Sequence, residues 1–296
     1  MNITLNNPLG NLNILGVDIG GTHISAAIID VQTKLPIAKT FRRRLVDSNG
    51  TADAILNSWS EVIKESCADL GRIGIAMPGP FDYEGGISLI QDQDKFRALY
   101  KINIKDEIAI RLGISKSAIS FINDAAGFLQ GEIFAGTVGD AKSVFGITLG
   151  TGLGSSFATS GVATDAALWD FPFLEGIAED YLSSRWFLKR YAELTTNTVS
   201  GVRELAELAE SDSDARLVFE EFGDNFATFT IPFIKKHQFD AIVVGGNIAQ
   251  ASRFFLLAME TKFEREQVKI QVVMAKLKEH AALIGAASCC LANKEI

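Results

Sequence analysis

Residues 14–30, ILGVDIGGTHISAAIID, decide how the chain is read. Two apolar runs of β-strand character flank Gly20-Gly21-Thr22, and Asp18 stands inside the first run, two residues before the glycines. Strands are depleted in aspartate and glycine, so these residues serve something other than the strand. A glycine pair admits positive φ and lets a ligand approach the backbone with no Cβ in the way. Successive amides in such a turn form a concave anion site.

A single glycine hairpin is ordinary, because such turns join strands in many folds. Here the pattern recurs. Ser143–Leu149 reads as a strand, Gly150-Thr151-Gly152-Leu153-Gly154 as a turn, and Ser155–Thr159 as a second strand. A third glycine pair, Gly245-Gly246-Asn247, joins the short strand Ala241–Val244 to a helix, and helix N-termini attract phosphate.

Around these turns the chain alternates strands and helices. Strands are expected at Leu12–Ile19, His23–Asp30, Ile37–Arg43, Arg72–Ala76, Ala118–Ile122 and Val268–Val273. Thr51–Cys67 and Ile104–Leu112 have helical spacing, with Gly113 as a stop. Helices are also expected from Ala125 onward and over Ile177–Thr195, Val202–Glu210, Ala215–His237 and Ala275–Ala292. The Ala215–His237 helix should bend or break at Gly223 or Pro232. The order, strands and then helices twice over, predicts an α/β chain of two similar halves. They divide at residues 1–117 and 118–280, with 281–296 as a closing helix.

The chain has 296 residues, 47% of them hydrophobic and 22% charged, enough for two medium domains. No apolar run reaches the ~18 residues that span a bilayer. The first ten residues lack a basic region followed by an apolar core. Three cysteines (Cys67, Cys289, Cys290) make neither a disulfide framework nor a zinc set. A cytoplasmic protein without membrane partners is expected. With 28 basic against 36 acidic residues the net charge is −8, which argues against nucleic acid as a partner. The one basic run, Arg42-Arg43-Arg44, reads as a solvated strand end.

Several phosphate and hydrolase motifs are absent. There is no G-x-x-x-x-G-K-[ST] loop, no H-E-x-x-H and no G-x-S-x-G, and GTGLG leads into a strand, unlike a dinucleotide fingerprint. What is present is DIGGT (18–22), GIAMPGPFD (74–82), INDAAGFLQGE (122–132), GITLGTGLG (146–154) and GGNIAQA (245–251). In this order over nearly the whole chain, these segments resemble the ROK family of repressors and sugar kinases, within the sugar kinase–chaperone–actin superfamily.

The resemblance implies two ribonuclease-H-like (actin-like ATPase) domains with ATP in a hinge cleft, the last helix packing back on the first domain. It also implies ATP-dependent phosphorylation of a sugar hydroxyl, on a hexose or amino sugar, in a homodimer. Carried over by position, it puts Asp18 near Mg2+, through water, with Gly20, Gly21 and Thr22 at the phosphates. Gly150, Thr151 and Gly152 would grip the phosphates from the second domain, and Gly245, Gly246 and Asn247 would meet the adenosine. Asp124 would be the general base, Asn123 would hold a neighbouring hydroxyl, and Gly79 would let sugar approach the backbone. By position alone, Asn123 or Asp124 reads equally as a helix N-cap. Glu132, about 80° round the helix from Asp124 at ~100° per residue, reads as surface or as support behind the site.

The chain departs from the family's pattern at Ser160–Trp186, SGVATDAALWDFPFLEGIAEDYLSSRW. The Glu-x-Gly-His motif that binds sugar in family kinases is missing. The segment has no cysteine or histidine, so no zinc loop is expected. AEDYLS resembles the segment after that loop and places Glu179 as a sugar ligand, or else on a solvated helix face. Trp169, Phe171 and Phe173 read as a stacking wall or as core, and His23, His237 and His280 as structural. Lys95, Phe96 and Tyr100 fall in the substrate-loop region without individual roles. The competing expectation is a catalytically silent sugar or nucleotide sensor, or a ROK-type regulator without a DNA-binding domain.

Overall fold

The computed structural model describes residues 14–67, 71–91, 93 and 95–292. Leu12 and Asn13, the closing residues 293–296, and Asp92 and Asp94 of the substrate-loop region lie outside this set. The chain forms two compact units. One holds the described residues up to Ala135 together with those from His280 on; the other is Gly136–Glu279.

The first unit is built on a sheet of β1 (Ile14–Ile19), β2 (His23–Asp30), β3 (Leu35–Pro36), β4 (Arg42–Leu45), β5 (Arg72–Met77) and β8 (Ile119–Asn123). A two-residue hairpin, β6 (Phe81–Asp82) and β7 (Ile87–Ser88), lies outside it. β1 runs antiparallel to β2 and parallel to β5, β5 runs parallel to β8, and β4 joins on β2. Expected Ile37–Arg43 is therefore no single strand: a 3-10 turn at Ala38–Thr40 precedes β4.

Strand alternation sorts the side chains of β1 onto two faces. Leu15, Val17 and Ile19 pack with Trp59, Val62 and Ile63 of helix α1 (Ala52–Ser66) and with Ile104 and Ile108 of helix α2 (Ile104–Leu112). Thr51 caps α1 by accepting from the Ala54 amide, and Gly113 closes α2 at φ +69. After β8, helix α3 (Asp124–Ala135) completes this part of the unit. The stretch 118–135 was expected to open the second domain. Its strand instead pairs with β5, so the division falls after Ala135.

The second unit repeats the pattern. β9 (Ser143–Leu149) is antiparallel to β10 (Leu153–Thr159), which carries β11 (Val162–Asp165). A small hairpin follows, β12 (Pro172–Phe173) and β13 (Gly176–Ile177), then helices α4 (Ala178–Tyr181), α5 (Ser184–Thr195), α6 (Val202–Leu208) and α7 (Ser213–His237). β14 (Ala241–Gly245) runs parallel to β9, and beyond a 3-10 segment, Ile248–Phe254, and α8 (Leu256–Arg265) comes β15 (Gln271–Met274), parallel to β14. Both sheets thus have an antiparallel hairpin followed by parallel strands. β11 and the β12–β13 hairpin were not anticipated, and β15 begins later than the expected Val268.

Expected helix Ile177–Thr195 is broken at Leu182–Ser183. α7 shows the opposite: it continues through Gly223 and Pro232 for 25 residues. Buried Phe219, Phe222, Phe226, Phe229 and Phe233 run along it and hold it in the core. Gly223 lets the following segment pack close, since a Cβ there would stand 2.4 Å from the Phe255 carbonyl oxygen.

The last helix, α9 (Ala281–Ala292), belongs to the first unit and starts six residues later than expected, behind a 3-10 turn at Lys278–His280. It lies on the sheet face opposite α1, beside α3. A Cβ on Gly16 of β1 would stand 2.2 Å from the Leu283 carbonyl oxygen, and one on Gly74 of β5 would stand 1.9 Å from that of Ala286. The Arg72 guanidinium donates to the Cys290 carbonyl at 2.5 Å. Among the described residues, no helix is long and apolar enough to cross a membrane.

Candidate active site

In the first unit the site residues gather at the ends of β1, β5 and β8. Asp18 pairs with Ala76 of β5, and β5 ends at Met77 beside Asn123 of β8. Asp18 is half-buried, on the face of the sheet that Gly16 presents to α9. Across the hairpin, Asp18 pairs with Ser25 and Ser25 with Arg43, so the three side chains share one face on adjacent strands. The Gly20 amide donates to the His23 carbonyl at 2.8 Å and closes the turn.

The Asp18 carboxyl is pushed up to about 7, first by burial and next by the negative charge of Asp124, with Arg43 drawing it back. Burial also raises the Asp124 carboxyl, opposed chiefly by the positive charge of Lys95 and then by backbone amides. Two carboxylates that resist ionising together form a site that favours a cation. Among the described residues no three His, Cys, Asp or Glu side chains converge as a metal cage. A pair of carboxylates fits a Mg2+ that keeps most of its water and completes its shell on phosphate oxygens.

Asn123 is the helix cap. Its Oδ1 accepts from the Ala125 and Ala126 amides at 2.9 and 3.1 Å. Its Nδ2 donates to the Tyr83 hydroxyl at 3.1 Å, which in turn donates to the Met77 carbonyl at 3.1 Å. Gly79 lies against the same tyrosine: a Cβ there would be 3.2 Å from the Tyr83 hydroxyl. Tyr83 therefore ties the Pro-Gly loop to the Asn-Asp pair. Lys95 lies over Gly21, so that one lysine reaches both the glycine turn and Asp124.

In the second unit, the strand ends bring two glycine elements side by side. Gly246, at φ +86, sits so close to Leu149 that a Cβ would meet its carbonyl oxygen at 2.2 Å. Leu149 leads directly into Gly150-Thr151-Gly152, where Thr151 is exposed and Gly150 has open space in the Cβ direction. Asn247 is exposed and opens the 3-10 segment.

Glu179 meets this turn. Its Oε2 accepts from the Leu153 amide at 3.0 Å and its Oε1 from Arg185 at 2.6 Å. Phe173 is buried against Tyr181 and Phe229 and is a core-packing ring, whereas Phe171 packs edge-on to Phe233 yet is 43% exposed. Trp169 is exposed. Glu132, which the helical spacing put at the surface or behind the site, is fully buried.

The ROK family matches residues 14–166 and 175–293. The chain belongs to the ROK family. This ROK chain is 24% identical to a glucokinase from Thermotoga maritima over 94% of its own length and 96% of the relative's. It is 25% identical to an N-acetylgalactosamine kinase from Shewanella sp., covering 79% and 82% of the two chains. Its fold is that of a ROK glucokinase from Streptomyces griseus solved with glucose and AMPPNP, at a TM-score of 0.76 and 22% identity over 94% of this chain and 98% of that one. The two sheet-and-helix units are those of the actin-like ATPase fold. The gap between the two matched segments, 167–174, lies in the stretch that lacks the sugar-binding motif of family kinases.

Three residues of this ROK site went unassigned in the sequence. Arg43 sits in a run that reads as solvated, and only the register of β1, β2 and β4 turns it toward Asp18. Tyr83 and Lys95 come from loops, and their placement depends on long-range packing. Arg43 is itself exposed, as the run reads, while Arg44 is half-buried and pairs with Glu61 and Glu65 on α1 at 2.7 Å each.

Proposed function

We propose that this chain transfers the γ-phosphoryl group of ATP to a hydroxyl of a hexose or amino sugar, with Asp124 as general base. What carries the reading is the pairing of Asp18 and Asp124 beside the Gly20–Thr22 turn, two carboxyls held above their ordinary range. Burial raises the Asp124 carboxyl, which makes it a better proton acceptor, and the positive charge of Lys95 opposes the rise. Phosphoryl transfer asks the protein mainly for positioning and charge neutralisation. Asn123 holds the start of α3, and so the backbone that carries Asp124, while its second amide hydrogen can meet a sugar hydroxyl.

Gly79 leaves the Pro-Gly backbone open to sugar. Gly20, Gly21 and Thr22, and in the second unit Gly150, Thr151 and Gly152, take the phosphates; Gly245, Gly246 and Asn247 take the adenosine. Asp18 would hold Mg2+ through its water. When bound, that ion neutralises charge on the phosphate oxygens. The relatives named glucokinase and N-acetylgalactosamine kinase support a sugar acceptor. The reading includes a cytoplasmic setting and a homodimer, the latter testable by light scattering.

A second reading, a silent sensor that binds sugar or nucleotide without turnover, has one observation in its favour: no histidine stands in Ser160–Trp186 to recognise sugar. ADP release from Mg-ATP across a panel of hexoses and amino sugars decides between them. Release that depends on one sugar and falls about 100-fold or more in Asp124→Asn establishes the kinase. Sugar or nucleotide binding without sugar-dependent release establishes the sensor.

A further inference from the structure

Lys95 stands between β7 and a 3-10 turn at Arg97–Leu99, and the chain is pinned on both sides of it. The next residue, Phe96, has a left-handed backbone, φ 58 and ψ 20, a conformation that bulky residues avoid. Its ring is fully buried and stands edge-on to Trp59 of α1, with the ring centres 5.3 Å apart. The Phe96 amide donates to the Ser48 carbonyl at 2.8 Å, and the Val46 amide donates to the Thr22 carbonyl at 2.9 Å. The segment 46–48 thus ties the base of Lys95 to the Gly20–Thr22 turn. Before the lysine, the Gln93 side-chain amide donates to the Gly79 carbonyl at 2.9 Å, and Arg97 Nε donates to the Gln93 carbonyl at 2.6 Å. Backbone strain that the surrounding packing enforces is a mark of functional positions. What this strain holds in place is Lys95. A Cβ on Gly21 would stand 3.2 Å from the lysine Cδ, and Nζ lies two bonds further along the side chain. The same charge acts on Asp124.

We propose that Lys95 is a further catalytic residue, whose ammonium group neutralises the phosphoryl group as it passes from ATP to the sugar. The inference rests on the kinase reading given above. In that step the sugar hydroxyl oxygen bonds to the γ-phosphorus. The bond from that phosphorus to the bridging oxygen breaks, and its electron pair stays with ADP. The hydroxyl proton goes to Asp124. Lys95 keeps its own proton throughout and supplies charge alone. Negative charge is spread over the outer oxygens of the moving group, and a cation already in place stabilises it without reorganising during the reaction. The buried, left-handed Phe96 and the bonds to Ser48 and Gly79 put the lysine in place beforehand, so its ordering is not charged to the reaction.

The test compares the full chain with Lys95→Met and Lys95→Arg. Rates are read on the upper pH plateau of each protein, where Asp124 is ionised in all three, so that an effect carried only through Asp124 disappears. Lys95→Met is expected to lower kcat there about 100-fold, with the KM for the sugar within about threefold of wild type. Lys95→Arg keeps the charge and recovers most of the loss. Isothermal titration supplies a readout that a merely structural role would not give. Lys95→Met weakens Mg-AMPPNP, which carries a third phosphoryl group, about tenfold and leaves the affinity for Mg-ADP unchanged. Thermal melts confirm folding, and Lys95→Gln replaces Lys95→Met if the apolar side chain destabilises the protein. A plateau kcat equal to that of wild type confines Lys95 to its effect on Asp124 and overturns the proposal. Equal weakening of Mg-AMPPNP and Mg-ADP makes the lysine a structural part of the loop and overturns it too. A wild type without sugar-dependent ADP release refutes the kinase reading itself, before any variant is made.

Discussion

Lys95 lies across Gly21: a Cβ built on the glycine would stand 3.2 Å from the lysine Cδ. The same lysine is the main charge opposing the rise of the Asp124 carboxyl. Lys95→Met removes that charge, so Asp124 rises further. The acid limb of kcat/KM then moves to higher pH, and Lys95→Arg returns it toward wild type. A pH–rate profile of the three proteins checks this; an acid limb unmoved in Lys95→Met would falsify the pairing.

Two glycines of the proposed nucleotide site differ in how they bear a methyl group. At Gly21 the nearest atom belongs to a flexible side chain, so Gly21→Ala should melt within about 2 °C of wild type while losing affinity for Mg-AMPPNP. At Gly246 φ is +86 and the obstacle is the Leu149 backbone at 2.2 Å. Gly246→Ala should cost about 2 kcal/mol or more and lower the melting temperature by several degrees. Equal melting temperatures for the two variants would contradict this account.

The raised Asp18 carboxyl sets the sign of a stability effect in chelator-treated protein. Its value in the fold, about 7, lies above the ordinary 3.8. The fold therefore favours the protonated form, and that contribution is full below about pH 4 and lost as pH rises through about 7. Asp18→Asn should flatten the decline in stability between pH 5 and pH 8. At pH 8 it should be the more stable protein, by up to about 4 kcal/mol at roughly 1.4 kcal/mol per unit of pKa. Urea melts at the two pH values read it directly.

The seam between α9 and the first sheet has no room for a side chain. Gly74→Ala would bring a methyl group within 1.9 Å of the Ala286 carbonyl oxygen. It should cost about 3 kcal/mol or more, because both sides of the contact are backbone. Ile110→Ala, at a residue 74% exposed on α2, should lie within about 0.5 kcal/mol of wild type.

Much of this was legible in the sequence, because the signals are local. The alternation of β1 and β2 and the glycines between β9 and β10 place those strands and turns without reference to the rest of the chain. The α4–α5 break was not legible, because Ile177–Thr195 has continuous helical spacing and only in the fold do the Ser184 amide and hydroxyl, just past the break, meet the Gly150 carbonyl. Nor was the unbroken course of α7, where burial of a row of phenylalanines outweighs the missing amide of Pro232. Arg43 is the clearest case among site residues. Three consecutive arginines look alike in sequence, and only strand register separates the one facing Asp18 from the one paired with Glu61 and Glu65.

The placement of α9 bears on the order in which the protein can mature on the ribosome. Residues 14–135 leave the exit tunnel early, yet the helix that covers one face of their sheet is made after the whole of Gly136–Glu279. Until then the part of the sheet around Gly16 and Gly74 lacks the helix that packs on it. The second unit carries no such debt and can finish folding first, so the segment translated first is the one completed last.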